Sequence, residues 1–171
     1  MRTLPALSGF VLLSAITLLS AKDRPAWKSE QDFRKAAPMV HRQALWLEAN
    51  PDAETWGDTL KTVLTWGHEV PYVRLGTAKV FEKELQNLPK DPSAGRVASM
   101  MQVGYVQYAT ETDFENATEF AMAKAAATCM IRYYENLQQT KPGYAIPALE
   151  RLAGLMHSES LDEYIQAKLR K

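Results

Sequence analysis

The chain has 171 residues, with 20 Lys and Arg against 20 Asp and Glu, and a formal net charge of zero. That balance argues against a nucleic-acid partner, which normally needs a basic face, and it gives no polybasic patch for a membrane surface. The single cysteine, Cys129, excludes an internal disulfide, so stability must come from packing.

The chain begins MRTLPALSGFVLLSAITLLSAKDRPAW. Arg2 supplies a positive start, a mostly apolar run follows from Leu4 to Ala21, and Lys22-Asp23-Arg24 comes directly after. This order predicts a secretory signal peptide over residues 1–21. The run is short and diluted by Ser8, Gly9, Ser14 and Thr17, whereas a spanning helix needs about 20 strongly apolar residues. The expectation is an exported protein, periplasmic or secreted, with no stable membrane insertion after signal removal. Residues 22–171 then form a single helical domain. Loss of Arg2 leaves 19 of the 20 bases against 20 acids.

Apolar residues recur at helical spacing through nearly all of that domain, and strand-like alternation is almost absent. A first helix is predicted over 29–49, with Phe33, Ala37, Val40, Ala44 and Leu47 in one stripe and Met39 and Trp46 opposite. Pro38 inside it implies a kink or a fresh start. Asn50-Pro51 and Asp52 break the chain. A second helix follows with Trp56, Leu60, Val63, Leu64 and Gly67 on one face, and Val70-Pro71 stops it. Residues 70–76, VPYVRLG, read as extended. A third helix carries Ala78, Phe81, Leu85 and Leu88. Asp91-Pro92 then forms an N-cap acid with proline at the first helical position.

The fourth helix, over 92–109, has Val97, Met101, Gly104 and Tyr108 on one face. The fifth, over 113–139, is the longest and most apolar, with Phe120, Ala123, Ala127, Met130, Tyr134 and Leu137 in one stripe, so it is expected at the centre. Two short helices close the chain. One is marked by Leu149, Leu152, Ala153 and Met156. The other opens with the capping-box pattern Ser160-Leu161-Asp162-Glu163 and buries Leu161, Ile165 and Leu169. The fold class is all-α, a bundle of six or seven helices, with an irregular helical-repeat-like stack as the alternative.

No catalytic or metal motif is present: HExxH, CxxC, HxH, GxSxG and GxxxxGK are all missing. No metal, cofactor or catalytic residue is therefore assigned. His68 and Glu69 are helix neighbours whose side chains diverge by about 100°, and a last-turn histidine already suits the helix dipole. Cys129 sits among apolar residues and reads as core. Trp46, Trp56 and Trp66 fall at ten-residue intervals. Trp66 lies on the flank of the second helix's apolar stripe, about 80° from its centre. It is a candidate to line a groove against VPYVRLG, bordered by Tyr72 and Arg74.

The segments QALWLEANP, LKTVLTWGHEVP and AKAAATCMIRYYEN resemble a group of exported, all-helical bacterial proteins of unknown function. In those proteins an Ala/Leu/Trp-rich helix ends in Asn-Pro, and a Leu-x-x-Trp helix follows with a proline soon after. The resemblance covers residues 30–165. It implies an exported helical domain, brings no activity and carries over no functional residues. Three functions are compatible with the sequence. Binding of another, unidentified protein leads. A small-ligand carrier with a pocket near Trp66 is the alternative. A hydrolase pairing His68 or His41 with an acid brought near by folding is the third.

Overall fold

The computed structural model describes residues 27–72, 78–112 and 117–170. The expected signal peptide, Arg74 and the residues at 113–116 lie outside them. Among the described residues the chain is all-α, with seven α-helices. They are α1 (Glu30–Ala49), α2 (Trp56–Glu69), α3 (Glu82–Gln86), α4 (Pro92–Glu111), α5 (Glu119–Thr140), α6 (Pro147–His157) and α7 (Leu161–Leu169). A 3₁₀ turn, Ala78–Phe81, leads into α3.

The centre of the bundle is the pair α4 and α5. Gly104 of α4 lies so close to α5 that a Cβ there would fall 2.7 Å from Ala125 O and 2.7 Å from Ala126 Cα. Small residues where the two helices meet let the backbones approach. Ala123, Ala126 and Ala127 of α5 are buried, as are the larger Met100, Met130 and Ile131. α1 packs on both members of this pair, and α6 and α7 pack on α5. A helical-repeat stack would give contacts between sequence neighbours only. The long-range contacts of α1 make this a bundle.

α1 and α2 form an antiparallel hairpin stitched by two tryptophans. The Trp56 indole N–H donates to Leu47 O at 3.1 Å, near the end of α1. The Trp66 indole N–H donates to Phe33 O at 3.2 Å, near its start. The ten-residue tryptophan interval therefore spaces two cross-ties. Ser29 caps α1 in a capping box with Asp32. The helix runs unbroken through Pro38, so there is no fresh start there. Pro38, which has no N–H to give the helix, lies on its exposed side.

The buried face of α2 is rotated from the sequence reading. Leu60 and Leu64 are only half-buried, whereas Thr59, Thr62 and Trp66 are inside. The threonine hydroxyls donate back to Thr55 O and Asp58 O, at 3.0 and 3.1 Å. With that bond made, each threonine packs as an apolar residue. Asp91 caps α4 as expected, accepting from Ser93 N at 2.8 Å and Ala94 N at 3.1 Å.

The link from α6 to α7 departs from the expected capping box. Ser160 makes no side-chain cap bond. Its N–H instead donates to Leu155 O at 2.9 Å, and Glu159 N–H donates to Met156 O at 3.2 Å. These two bonds form a Schellman motif, with Glu159 left-handed at φ 59°. The motif consumes the Ser160 backbone and fixes the angle at which α7 leaves α6.

Two outcomes follow for stability. Gly104→Ala forces backbone against backbone and should cost about 1–3 kcal/mol or more, with Met130→Ala costing about 2–5 kcal/mol. Urea unfolding within 0.5 kcal/mol of wild type, on the order of a neutral surface change, would show that the helix pair is not central. Glu159→Gly should raise stability by about 0.5–1 kcal/mol by removing left-handed strain; a lowered melting temperature refutes that account.

Candidate functional site

Three short helices converge on one carboxylate. The 3₁₀ turn drives Val80 and Phe81 into the core, and Glu84, three residues beyond Phe81, shares its face and is carried inward. Only 3% of Glu84 is exposed. α7 buries Leu161 and Ile165, which turns Tyr164 and Lys168, one helical turn apart, toward α3. α6 buries Leu149 and Leu152, leaving Arg151 on the flank between them.

Glu84 Oε1 accepts from the Tyr164 hydroxyl in a short bond. It also accepts from Lys168 Nζ at 2.9 Å and Arg151 Nη2 at 3.0 Å. Arg151 Nη2 also donates to the Tyr164 hydroxyl oxygen at 3.1 Å. The Tyr164 ring holds both cations near its face, with Arg151 Cζ at 5.5 Å and Lys168 Nζ at 5.3 Å from its centroid. Glu84 Oε2 is buried without a hydrogen-bond partner. Beside this cluster is an open cleft of about 520 Å³. Lys83, Glu84 and Asn87 line it from α3, Pro147, Ala148 and Arg151 from α6, and Tyr164 and Lys168 from α7.

The electrostatics are consistent around the cluster. Burial pulls the Glu84 carboxyl up, but the hydrogen bonds from Tyr164 and Lys168 outweigh it and hold the group below its ordinary value. Burial pulls the Lys168 ammonium down, and its bonds to Glu84 and Tyr164 more than reverse that. Burial and the Glu84 bond push the Tyr164 phenol up. At neutral pH the phenol is thus a donor and no base. The ammonium is no nucleophile, and Glu84 Oε1 already has three donors. The arrangement fixes these charges in place.

A second buried carboxylate behaves oppositely. Glu48, at the end of α1, accepts from Gln107 of α4 at 3.1 Å and lies 3.8 Å from Arg132 of α5. Burial dominates and raises its carboxyl above the ordinary range. Cys129 is fully buried beside it, and burial pushes the thiol well up, so it is an inert core residue.

Of the residues singled out in the sequence, Trp66 is a core residue at 0% exposure, edge-on to Phe33, and lines no open groove. The sequence reading misplaced it because it counted only apolar residues on α2 and so left out Thr59 and Thr62. Tyr72 is half-buried, with the Arg34 guanidinium 4.6 Å from its ring centroid. Arg74 lies outside the described residues. His68 is exposed in the last turn of α2, ahead of the Val70 C-cap. Two other histidines do meet acids. His157 Nε2 is 2.7 Å from Glu135 Oε1 on an exposed surface. His41 Nε2 is 3.5 Å from Glu111 Oε1, and its Nδ1 is 3.0 Å from Thr110 Oγ1. The Thr110 hydroxyl donates to the Gln107 carbonyl at 2.8 Å, an arrangement that does not activate Thr110 as a nucleophile.

Among the described residues, no group of three or more His, Cys, Asp or Glu could hold a metal ion, and no helix is long and apolar enough to cross a membrane. No family model, curated protein or solved structure matches the chain. Sequence reasoning missed the Glu84 cluster. Tyr164 and Lys168 were visible as a one-turn pair, but Leu85 was chosen for the α3 stripe in place of Glu84.

The two carboxylates give opposite pH signatures. Glu84 is depressed in the fold, so its contribution is full above the ordinary value of 4.5 and is lost as pH falls through the folded value. Glu84→Gln should therefore be less stable than wild type at pH 7, with the gap closing in acid. Glu48 is raised, so its charge penalises the fold at neutral pH and the penalty disappears below 4.5. Glu48→Gln should match or exceed wild type at pH 7 and lose that advantage in acid. Urea unfolding from pH 3 to 8 checks both, and gaps that do not change with pH contradict the assignment.

Proposed function

We propose that this chain is an exported helical domain that works by binding, and that its ligand is a small molecule held in the cleft between α3, α6 and α7. One observation carries the reading. Glu84 is buried at the cost of its solvation, and it holds Arg151, Lys168 and Tyr164 in fixed positions at the edge of a cleft of about 520 Å³. Ligand sites are commonly clefts of about 300–1,000 Å³ with a few preoriented polar groups. Pocket walls from Pro147, Ala148 and the Tyr164 ring supply apolar surface beside them. The site differs from the groove first expected at Trp66, but the class of function is the carrier reading.

A protein partner has weaker support. Interfaces are anchored by buried aromatic and apolar side chains, and among the described residues Leu45, at 42%, is the single exposed large hydrophobic. A hydrolase has less still, because neither histidine–acid pair presents an activated nucleophile or lies in the cleft lining. Export rests on the N-terminal sequence pattern.

The test is a fragment screen by two-dimensional amide NMR on the purified protein, with Ala148→Trp as the variant that fills the cleft. Shift changes should concentrate on 83–87, 147–151 and 164–168 and vanish in the variant. Shifts concentrated elsewhere, or none across the library, sink the reading. Cell fractionation with mass spectrometry should find the chain outside the cytoplasm without residues 1–21; an intact cytoplasmic chain refutes export.

A further inference from the structure

The cleft is out of electrical balance. Lys83, Arg151 and Lys168 line it against one carboxylate, Glu84. Glu84 is committed: its Oε1 accepts from Lys168, Arg151 and Tyr164, and its Oε2 is buried away from solvent. One acid cannot offset three bases, so positive charge is left over in a partly apolar recess.

That surplus is accessible. The Arg151 side chain is 58% exposed and engages Glu84 and Tyr164 through Nη2 alone, which leaves the Nε and Nη1 donors uncommitted among the described residues. Lys83 makes no ion pair among the described residues and is exposed. The first two residues of α6, Pro147 and Ala148, line the same cleft, and Glu150 in that first turn already offsets the helix dipole, so the surplus rests on the side-chain cations.

Glu84 thus has a second effect besides tying three helices together. It holds Arg151 through Nη2 while the guanidinium rests near the Tyr164 ring and most of the side chain stays exposed. Nη2 belongs to both forks of a guanidinium, so an oxyanion here meets one further arginine nitrogen as a charge-assisted single contact, with Lys83 as the second cation.

We propose that the cleft selects a small organic anion. Its oxyanion, a carboxylate or a comparable group, is held by Arg151 and Lys83. Its short apolar body lies against Pro147, Ala148 and the Tyr164 ring. This rests on the small-ligand reading and narrows it to a charge class. A cation is disfavoured by the surplus positive charge, and bare inorganic phosphate gains nothing from the apolar wall.

The test compares four probes of matched size or charge: hexanoate, hexanol, hexylamine and inorganic phosphate. Each is titrated by amide NMR into the wild-type protein, Arg151→Gln and Lys83→Gln. Hexanoate should bind at least tenfold more tightly than hexanol or hexylamine, and more tightly than phosphate. Arg151→Gln should weaken hexanoate about tenfold or more and Lys83→Gln severalfold, and added salt should weaken it in the wild type. Lys83 is exposed and makes no ion pair among the described residues, so its variant keeps the test valid should Arg151→Gln fold poorly. Hexanol or hexylamine binding in the cleft as well as hexanoate overturns the anion inference but preserves the small-ligand reading. Phosphate binding as tightly as hexanoate removes the apolar half of the proposal. No cleft shifts from any probe overturn both.

Discussion

The architecture depends on one close approach, that of Gly104 to the backbone of α5 at Ala125 and Ala126. It sets the separation of the two longest buried helices, and the rest of the bundle is arranged around that pair. α1 crosses both, with the Trp56 and Trp66 cross-ties holding α2 against it. On the far side of α5, Tyr134 fixes the turn into α6 by accepting the Ile146 N–H at 2.9 Å. The first helical residues of α6 therefore sit beside α3 because α5 is where Gly104 allows it to be.

From there local geometry builds the cleft. The Schellman turn at Glu159 sends α7 back along α6, and the one-turn spacing of Tyr164 and Lys168 places both on Glu84. The two buried carboxylates show how partners decide the sign of an effect. Glu84 has three donors and is held ionised, whereas Glu48 has an amide donor, a weak thiol donor in Cys129 and an arginine 3.8 Å away, and burial prevails. Breaking a satisfied buried charge is costly, while a poorly compensated one contributes little.

Much of the bundle was legible in the sequence because helical periodicity and turn chemistry are local. The Asp91-Pro92 start, the Val70-Pro71 stop and the central position of α5 all follow from residues within a few positions of each other. What was not legible depended on polar groups finding partners. Thr59 and Thr62 became core once their hydroxyls bonded back along the helix, which moved Trp66 from flank to centre. Ser160 lost its capping role because its backbone was needed by the preceding turn. The Glu84 cluster joins residues 67, 80 and 84 positions apart, and nothing in a one-turn window marks a glutamate as buried rather than solvated.

Those separations have a consequence for the order of events in folding. The α4–α5 pair closes over a short link and can form early, whereas the ties to Glu84 must close loops of 67, 80 and 84 residues, and long-range contacts form late. α7 is anchored on the core by two buried side chains, Leu161 and Ile165. Local opening of α7 would therefore dismantle the cleft while leaving the α4–α5 core intact, a sub-global unfolding step of lower free energy than melting the domain. A molecule bound across α3, α6 and α7 would draw the same segments together, so occupancy of the cleft and protection of the α7 amides from exchange are coupled quantities.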